Sequence, residues 1–467
     1  MQVMRSLASR ALRRPLASAT RGYVDMGASV LALPPRPLAA SERAIAETVA
    51  RHVSRGAEDP FYVVDLEAPR DKLREWRALL PDVSPFYAVK CNPDPRLLSD
   101  FADAGIGFDC ASIAEISSVL SLGVSPERVV YANPCKQPSH MRAAEGCGVG
   151  LSVFDSESEL LKSAAHAPGS ELLLRIGVDD SRATCTMSQK YGAPLDAAPF
   201  LLRRARELGL TVRGVSFHVG SGCYAPDAFA DAVARAAHVF DASRALGGAE
   251  MDTLDIGGGF PGVDTEELAF ADIAAAVRTA LREHFGVGAV DRGVRVIAEP
   301  GRFLAAASHT LAVNVIGKKV RAAAAAESAP AAAAGEHYDY YINDGLYGSF
   351  NCVMYDHASP TCAVLPTPDA PARAAPTHPS SLWGPTCDGL DCVSRHVALP
   401  ELEVGAWLYF PNMGAYTAAA GSNFNGMPLP SKLYLPPPLR SPAHQLAAAV
   451  PPPPPLAADL ALRVACG

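Results

Sequence analysis

Between Phe61 and Leu304 the chain alternates eight short runs rich in Val, Ile and Phe with longer stretches of helical pattern, and this alternation limits the fold more than any other feature. The runs are Ser84–Val89, Gly105–Phe108, Arg128–Ala132, Gly150–Phe154, Leu172–Ile176, Arg213–Phe217, Thr253–Ile256 and Val294–Ala298. Segments such as Ile113–Leu122, entered through Ser112, and Pro226–Leu246 read as the helices between them. Strands alternating with helices make parallel βαβ units, and eight in series predict a (β/α)8 barrel of the α/β class. Chemistry in such barrels sits at the C-terminal ends of the strands. Those ends carry Lys90, Asp109, Asn133, Asp155, Arg175, His218, Gly257 and Glu299. Packing a core needs no such set, so the pattern favours an active site over a binding scaffold.

After Ala305 the pattern changes. Leu311–Ile316, Tyr338–Ile342 and Glu403–Phe410 have β-rich composition with turn residues between them and no comparable helices. They predict a second, mostly β domain over 308–440, joined by residues 30–60, with the barrel at 61–307. Low-complexity Ala- and Pro-rich stretches at about 322–335 and 360–380 read as surface loop insertions, and 441–467 as a disordered Pro/Ala-rich tail. Residues 1–29 form a leader. It has no acidic residue before Asp25, while Arg5, Arg10, Arg13, Arg14 and Arg21 lie among Ala, Ser and Leu. That composition suits a mitochondrial or chloroplast transit peptide and, equally, a disordered tail. A net charge of −8 argues against nucleic acid or an anionic membrane as partner. No apolar stretch is long enough to span a bilayer. Eleven cysteines without CxxC spacing predict neither a disulfide framework nor a metal site.

Four motifs carry chemistry. PFYAVKCN (Pro85–Asn92) places Lys90 at the end of the first strand. Apolar neighbours there would weaken its preference for the charged form and favour Schiff-base chemistry, although a lone strand-end lysine is more often a surface residue. TLDIGGGFPG (Thr253–Gly262) runs a strand into Gly257, Gly258 and Gly259, whose backbone N–H groups can approach an anion closely. It lacks the spacing of a dinucleotide fingerprint or a P-loop. AEPGRF (Ala298–Phe303) supplies Glu299, Pro300, Gly301 and Arg302: a carboxylate able to keep a pyridine nitrogen protonated and a fork for phosphate. FHVGSGC (Phe217–Cys223) supplies His218 to stack on a ring and Ser221 for a phosphate cup. An aldehyde for Lys90, a pyridine for Glu299 and a phosphate for the glycines and Arg302 describe one ligand, pyridoxal 5'-phosphate.

Over roughly residues 61–427, the two insertions apart, the chain resembles the eukaryotic ornithine decarboxylases, of alanine-racemase-like fold. The downstream strings YINDGLYGSFNCVMYDH (Tyr341–His357), GPTCDGLD (Gly384–Asp391) and NMGAYTAAAGSNFNG (Asn412–Gly426) carry the resemblance along with the four motifs. It implies decarboxylation of L-ornithine to putrescine. Lys90 would link the cofactor covalently, His218 would stack on its ring and Glu299 would meet the pyridine nitrogen. Ser221, Gly258, Gly259, Arg302 and Tyr416 would surround the phosphate, with Asp109 and Arg175 in support. Tyr355, Asp356 and Asp388 would meet the substrate, and Cys387 would protonate the carbanion. The family's Cys387 and Asp388 reach in from the other subunit, which implies a homodimer. A cytoplasmic location and an antizyme-like protein regulator also belong to the resemblance. Asp388, rather than Glu, after Cys387 argues against a diaminopimelate substrate. Lysine and arginine decarboxylases and a non-catalytic antizyme-inhibitor type remain the alternatives.

Overall fold

The computed structural model describes residues 31–32, 40–248, 250–286, 293–322, 336–365 and 376–436. Eight parallel strands close a barrel: Val83–Ala88, Gly107–Cys110, Val129–Tyr131, Leu151–Phe154, Glu171–Arg175, Thr211–Ser216, Thr253–Asp255 and Arg295–Ala298. Each coincides with an expected run to within two residues at either end. Phe86, Val130, Val153, Leu173 and Ile297 pack together in one cluster. A second, much larger cluster joins other strand residues to helices such as Pro226–Ala245. Helix Ile113–Leu120 starts where its cap dictates: the Ser112 hydroxyl accepts the Glu115 N–H at 3.3 Å, and the Glu115 carboxylate accepts the Ala111 N–H at 2.6 Å.

The second domain is a nine-stranded sheet. Its long strand His309–Ala322 pairs antiparallel with Trp407–Phe410 and with Glu336–Ile342, and Tyr62, Leu311, Val313, Tyr340, Leu408 and Phe410 share its core. Two boundaries differ from expectation. Phe61–Val64, assigned above to the barrel, is a buried strand of this sheet, paired with His309–Ala312 and with Ser431–Tyr434. A continuous apolar tetrapeptide reads alike in either setting, because a strand covered on both faces shows no alternation. The 360–380 stretch, expected as a loop, begins and ends in strands, Thr361–Val364 and Thr377–Trp383, with Cys362 fully buried. The leader, the tail, nearly all of 322–335 and residues 366–375 lie outside the described residues. No described helix is long and apolar enough to cross a membrane.

The loop after the first barrel strand ties the domains together. Asn92 Nδ2 donates to the Gly414 carbonyl at 2.8 Å, and the Tyr416 N–H to the Cys91 carbonyl at 2.9 Å. Asp94, buried and capping helix Pro95–Asp103, accepts Lys432 Nζ at 2.6 Å and the Tyr434 hydroxyl at 2.7 Å. Lys90 therefore sits on a segment held from both sides.

Candidate active site

Lys90 lies in the single turn Val89–Cys91 that ends the first barrel strand. Its ammonium pairs with the carboxylate of Asp109, fully buried at the end of the second strand. The expectation of apolar neighbours is corrected here. Burial works to lower the Lys90 pKa, but the charges of Asp109 and Glu299 outweigh it and hold the ammonium well above its ordinary range. Burial is the largest single influence, and it is overcome only by the opposite charges of Asp109 and Glu299 acting together with the hydrogen bond that Lys90 donates to Asp109.

Glu299 ends the eighth strand, with its N–H bonded to the Gly257 carbonyl at 2.6 Å. Burial, then the charges of Asp109 and Asp255, push its carboxyl well above the usual carboxylate range. His218 follows the sixth strand, and its Nδ1 accepts the Gly220 N–H at 3.0 Å. Burial together with Arg175 and Lys90 holds the imidazole well below its ordinary pKa, so it is neutral at pH 7. Arg175, ending the fifth strand, lies 5.1 Å from the Tyr191 ring.

A second group gathers on Arg302 in the short helix Gly301–Ala305, which Pro300 leads in. The guanidinium donates to Ser221 Oγ at 2.7 Å and to Asp356 Oδ1 at 2.5 Å, and lies 5.0 Å from the Tyr416 ring. Gly258 and Gly259 lie in tightly folded backbone against His218 and Gly220. A Cβ on Gly258 would lie 2.8 Å from His218 Nε2, and one on Gly259 2.5 Å from the Gly220 carbonyl oxygen, at a φ of +112°. The turn bearing them rests on aromatic packing. Phe260 meets Trp76 and Phe229 with ring centroids 4.9 and 4.7 Å apart, and Phe303, next to Arg302, meets Phe270 at 4.2 Å.

Three polar atoms here are buried without a hydrogen-bond partner: Arg302 Nε, Asp109 Oδ1 and Asp356 Oδ2. Such atoms are rare in folded proteins and call for a partner, which a ligand bound at this site would supply. A guanidinium, a hydroxyl and a backbone that admits no side chain suit phosphate. A lysine between two carboxyls beside a neutral imidazole suits an aromatic aldehyde with a basic ring nitrogen. The residues fit pyridoxal phosphate.

The remaining expected residues lie elsewhere in the chain. Tyr355 is 75% exposed, beside the buried Asp356. Cys387 is exposed, its N–H donating to Asn425 Oδ1 at 3.1 Å. Asp388 accepts the Tyr347 hydroxyl and, at 2.9 Å, the Leu390 N–H. Neither has a bonded contact with the Lys90 or Arg302 groups. Two residues were not singled out from sequence. Cys185 Sγ approaches Asp356 at 3.6 Å, and Asp255, inside the glycine motif, is fully buried and accepts the Gly257 N–H at 2.9 Å. An acid on a fully buried strand was the available signal for Asp255.

Residues 67–306 match the family model for the pyridoxal-binding domain of pyridoxal-dependent decarboxylases. Fold and site thus define a pyridoxal-dependent decarboxylase of alanine-racemase-like architecture. The chain is 48% identical over 379 residues to the ornithine decarboxylase of Mus pahari, which covers 81% of each protein. It is also 48% identical over 374 residues to a chloroplastic ornithine decarboxylase of Nicotiana glutinosa, covering 79% of this chain and 82% of that one. The solved arginine decarboxylase of Paramecium bursaria Chlorella virus, bound to agmatine, superposes with a TM-score of 0.76 at 35% identity, over 84% of this chain and 100% of that one. The chain belongs to the ornithine decarboxylase family.

Proposed function

We propose that the protein decarboxylates L-ornithine to putrescine and CO2, using pyridoxal 5'-phosphate held at the mouth of the barrel. The observation that carries this is the meeting of Lys90, Asp109, His218 and Glu299 beside the Arg302–Ser221 pair, in a chain 48% identical to named ornithine decarboxylases. When bound, the cofactor supplies an electron sink for the bond to the departing carboxylate. Lys90 Nζ provides the covalent attachment, and Asp109 balances its charge. Glu299 faces the ring nitrogen and holds a proton there. His218, being neutral, covers the ring without setting a second positive charge against that proton. Ser221, Arg302 and the N–H groups around Gly258 and Gly259 hold the phosphate, with Tyr416 closing one side and Pro300 and Gly301 shaping the turn. Arg175 adds positive charge near His218 and Glu299.

At the substrate end, Asp356 and Asp388 take the distal ammonium beside Tyr355, and the Cys387 thiol delivers a proton to the α-carbon. Cys387→Ala should lower turnover by roughly 10²–10⁴-fold, the usual worth of a placed general acid. The exposure of Cys387 and the lack of bonded contact with the Lys90 group within one chain support a homodimer in which the partner subunit's Cys387 and Asp388 complete each site. The cytoplasm and an antizyme-like regulator follow from the resemblance. The Arg-rich leader points instead to an organelle, and a fluorescent reporter fused to residues 1–29 decides by where it accumulates. CO2 and amine release from ornithine, lysine, arginine and diaminopimelate tests the reading. Ornithine should lead lysine by about 10–200-fold in kcat/KM, since one methylene is worth about 1–3 kcal/mol. Preference for lysine or arginine would transfer the chain to that specificity.

A further inference from the structure

The short strand Ala183–Cys185, in the segment that follows the fifth barrel strand, pairs antiparallel with Ser221–Cys223 beyond the sixth, and the register sets Cys185 opposite Ser221. The ribbon is closely packed. A Cβ on Gly220, at a φ of +84°, would lie 2.8 Å from the Cys185 carbonyl oxygen, and the Thr184 hydroxyl donates to the Gly222 carbonyl at 3.2 Å. The buried Asp180 accepts the Ser188 N–H at 2.8 Å and the Ser188 hydroxyl at 2.5 Å, so the loop that carries Cys185 is closed on itself.

From this ribbon the Cys185 thiol donates to Asp356 Oδ1 at 3.6 Å. The same oxygen accepts Arg302 Nη2, which also donates to Ser221 Oγ at 2.7 Å. Asp356 is only 8% exposed, and its other oxygen, Oδ2, is buried without a partner. The side-chain donors therefore meet on one oxygen, and the oxygen left over is the one a ligand would satisfy. Burial, then the charge of Asp356, push the Cys185 thiol up to about 11, so at neutral pH it keeps the proton it donates.

We propose that Cys185 is a positioning residue for Asp356: its thiol and the Arg302 guanidinium together occupy Oδ1, fix the plane of the carboxylate and turn Oδ2 toward the distal ammonium of the substrate. This rests on the reading of Asp356 as a partner of that ammonium. Two donors on one oxygen define the direction of the carboxylate, where a single donor lets it swing about the contact. Because Cys185 stands opposite Ser221, the ribbon that helps to form the phosphate cup also aims the carboxylate that receives the amine.

The test uses the full chain loaded with pyridoxal phosphate and reads ornithine turnover, competitive inhibition by putrescine and, by absorbance titration, cofactor affinity. A thiol is a weak donor, so Cys185→Ala should raise the KM for ornithine and the inhibition constant of putrescine together by about 3–10-fold, with kcat and cofactor affinity within about twofold. Cys185→Ser keeps a donor and should return both constants to within about twofold of the unsubstituted protein. Unchanged constants in Cys185→Ala, or a serine variant no better than alanine, overturn the proposal. An equal loss in kcat and cofactor affinity also overturns it, by making Cys185 a packing residue of the ribbon. Cys185→Val, near in size, decides in place of Cys185→Ala if that variant does not fold. Unchanged ornithine KM and putrescine inhibition in Asp356→Asn would instead overturn the reading on which the proposal rests.

Discussion

Lys90 and Arg302 carry the two charges on which the site turns, and each is matched by an acid reaching it from a distant part of the chain. Asp109 answers Lys90, and Asp356 answers Arg302 at 2.5 Å. Truncating Arg302 to Ala removes a charge-assisted donor to phosphate, worth about 1.5–3 kcal/mol, so pyridoxal-phosphate affinity should fall by about 10–150-fold in an absorbance titration. An unchanged affinity would place the phosphate elsewhere. Lys90, His218, Glu299 and Arg302 were legible in sequence because polar residues interrupt apolar runs at strand ends, where barrel chemistry sits. The charge state of Lys90 was not. It depends on Asp109 and Glu299, which no reading of the PFYAVKCN string can bring next to it. Asp255 escaped for a similar reason, since a polar residue inside a glycine motif looks like part of the turn until its partner is seen.

The segment from Lys90 to Asp94 is the element that couples the domains. Burial pushes the Asp94 carboxyl up, but hydrogen bonds from Lys432 and Tyr434 prevail and hold it below its ordinary range. A carboxylate with a depressed folded-state pKa stabilises the fold at every pH above its unfolded value, and the contribution is lost as pH falls through the folded value. Lys432→Met should therefore cost about 1.5–3 kcal/mol near neutrality by chemical denaturation. Its difference from the unsubstituted protein should persist down to about pH 4 and disappear below it. A difference that does not depend on pH would assign the loss to packing. Beneath the glycine turn, Trp76 is fully buried against Phe260, Phe270 and Phe303, with its Nε1 donating to the Val83 carbonyl at 2.9 Å. Trp76→Ala should destabilise by about 3–5 kcal/mol in the same assay and weaken cofactor binding as the turn loosens. The barrel elements were legible because parallel strands alternate with amphipathic helices. Phe61–Val64 was not, because its partners at 309–312 and 431–434 are far along the chain, and FYVV shows no alternation to betray a sheet of another kind.

For the whole molecule, the exposed Cys387 and the Tyr347–Asp388 contact have meaning in the proposed dimer, where each site draws on two chains. Lys90→Ala and Cys387→Ala, each inactive alone, should together regain about a quarter of normal activity after mixing. Half of the dimers are then mixed, and each mixed dimer carries one intact site of two. No recovery, with subunit exchange verified, would confine each site to one chain. The two-domain plan was legible from the change of pattern after Ala305, whereas an interface between copies leaves no periodic signal in one sequence. The central claim, that this barrel decarboxylates ornithine through Lys90, is tested most directly by putrescine formation from ornithine. The unsubstituted protein and Lys90→Ala would be assayed side by side, both saturated with pyridoxal phosphate. Robust formation that vanishes in Lys90→Ala is the expected result. Putrescine from both proteins at similar rates, or from neither, would contradict it.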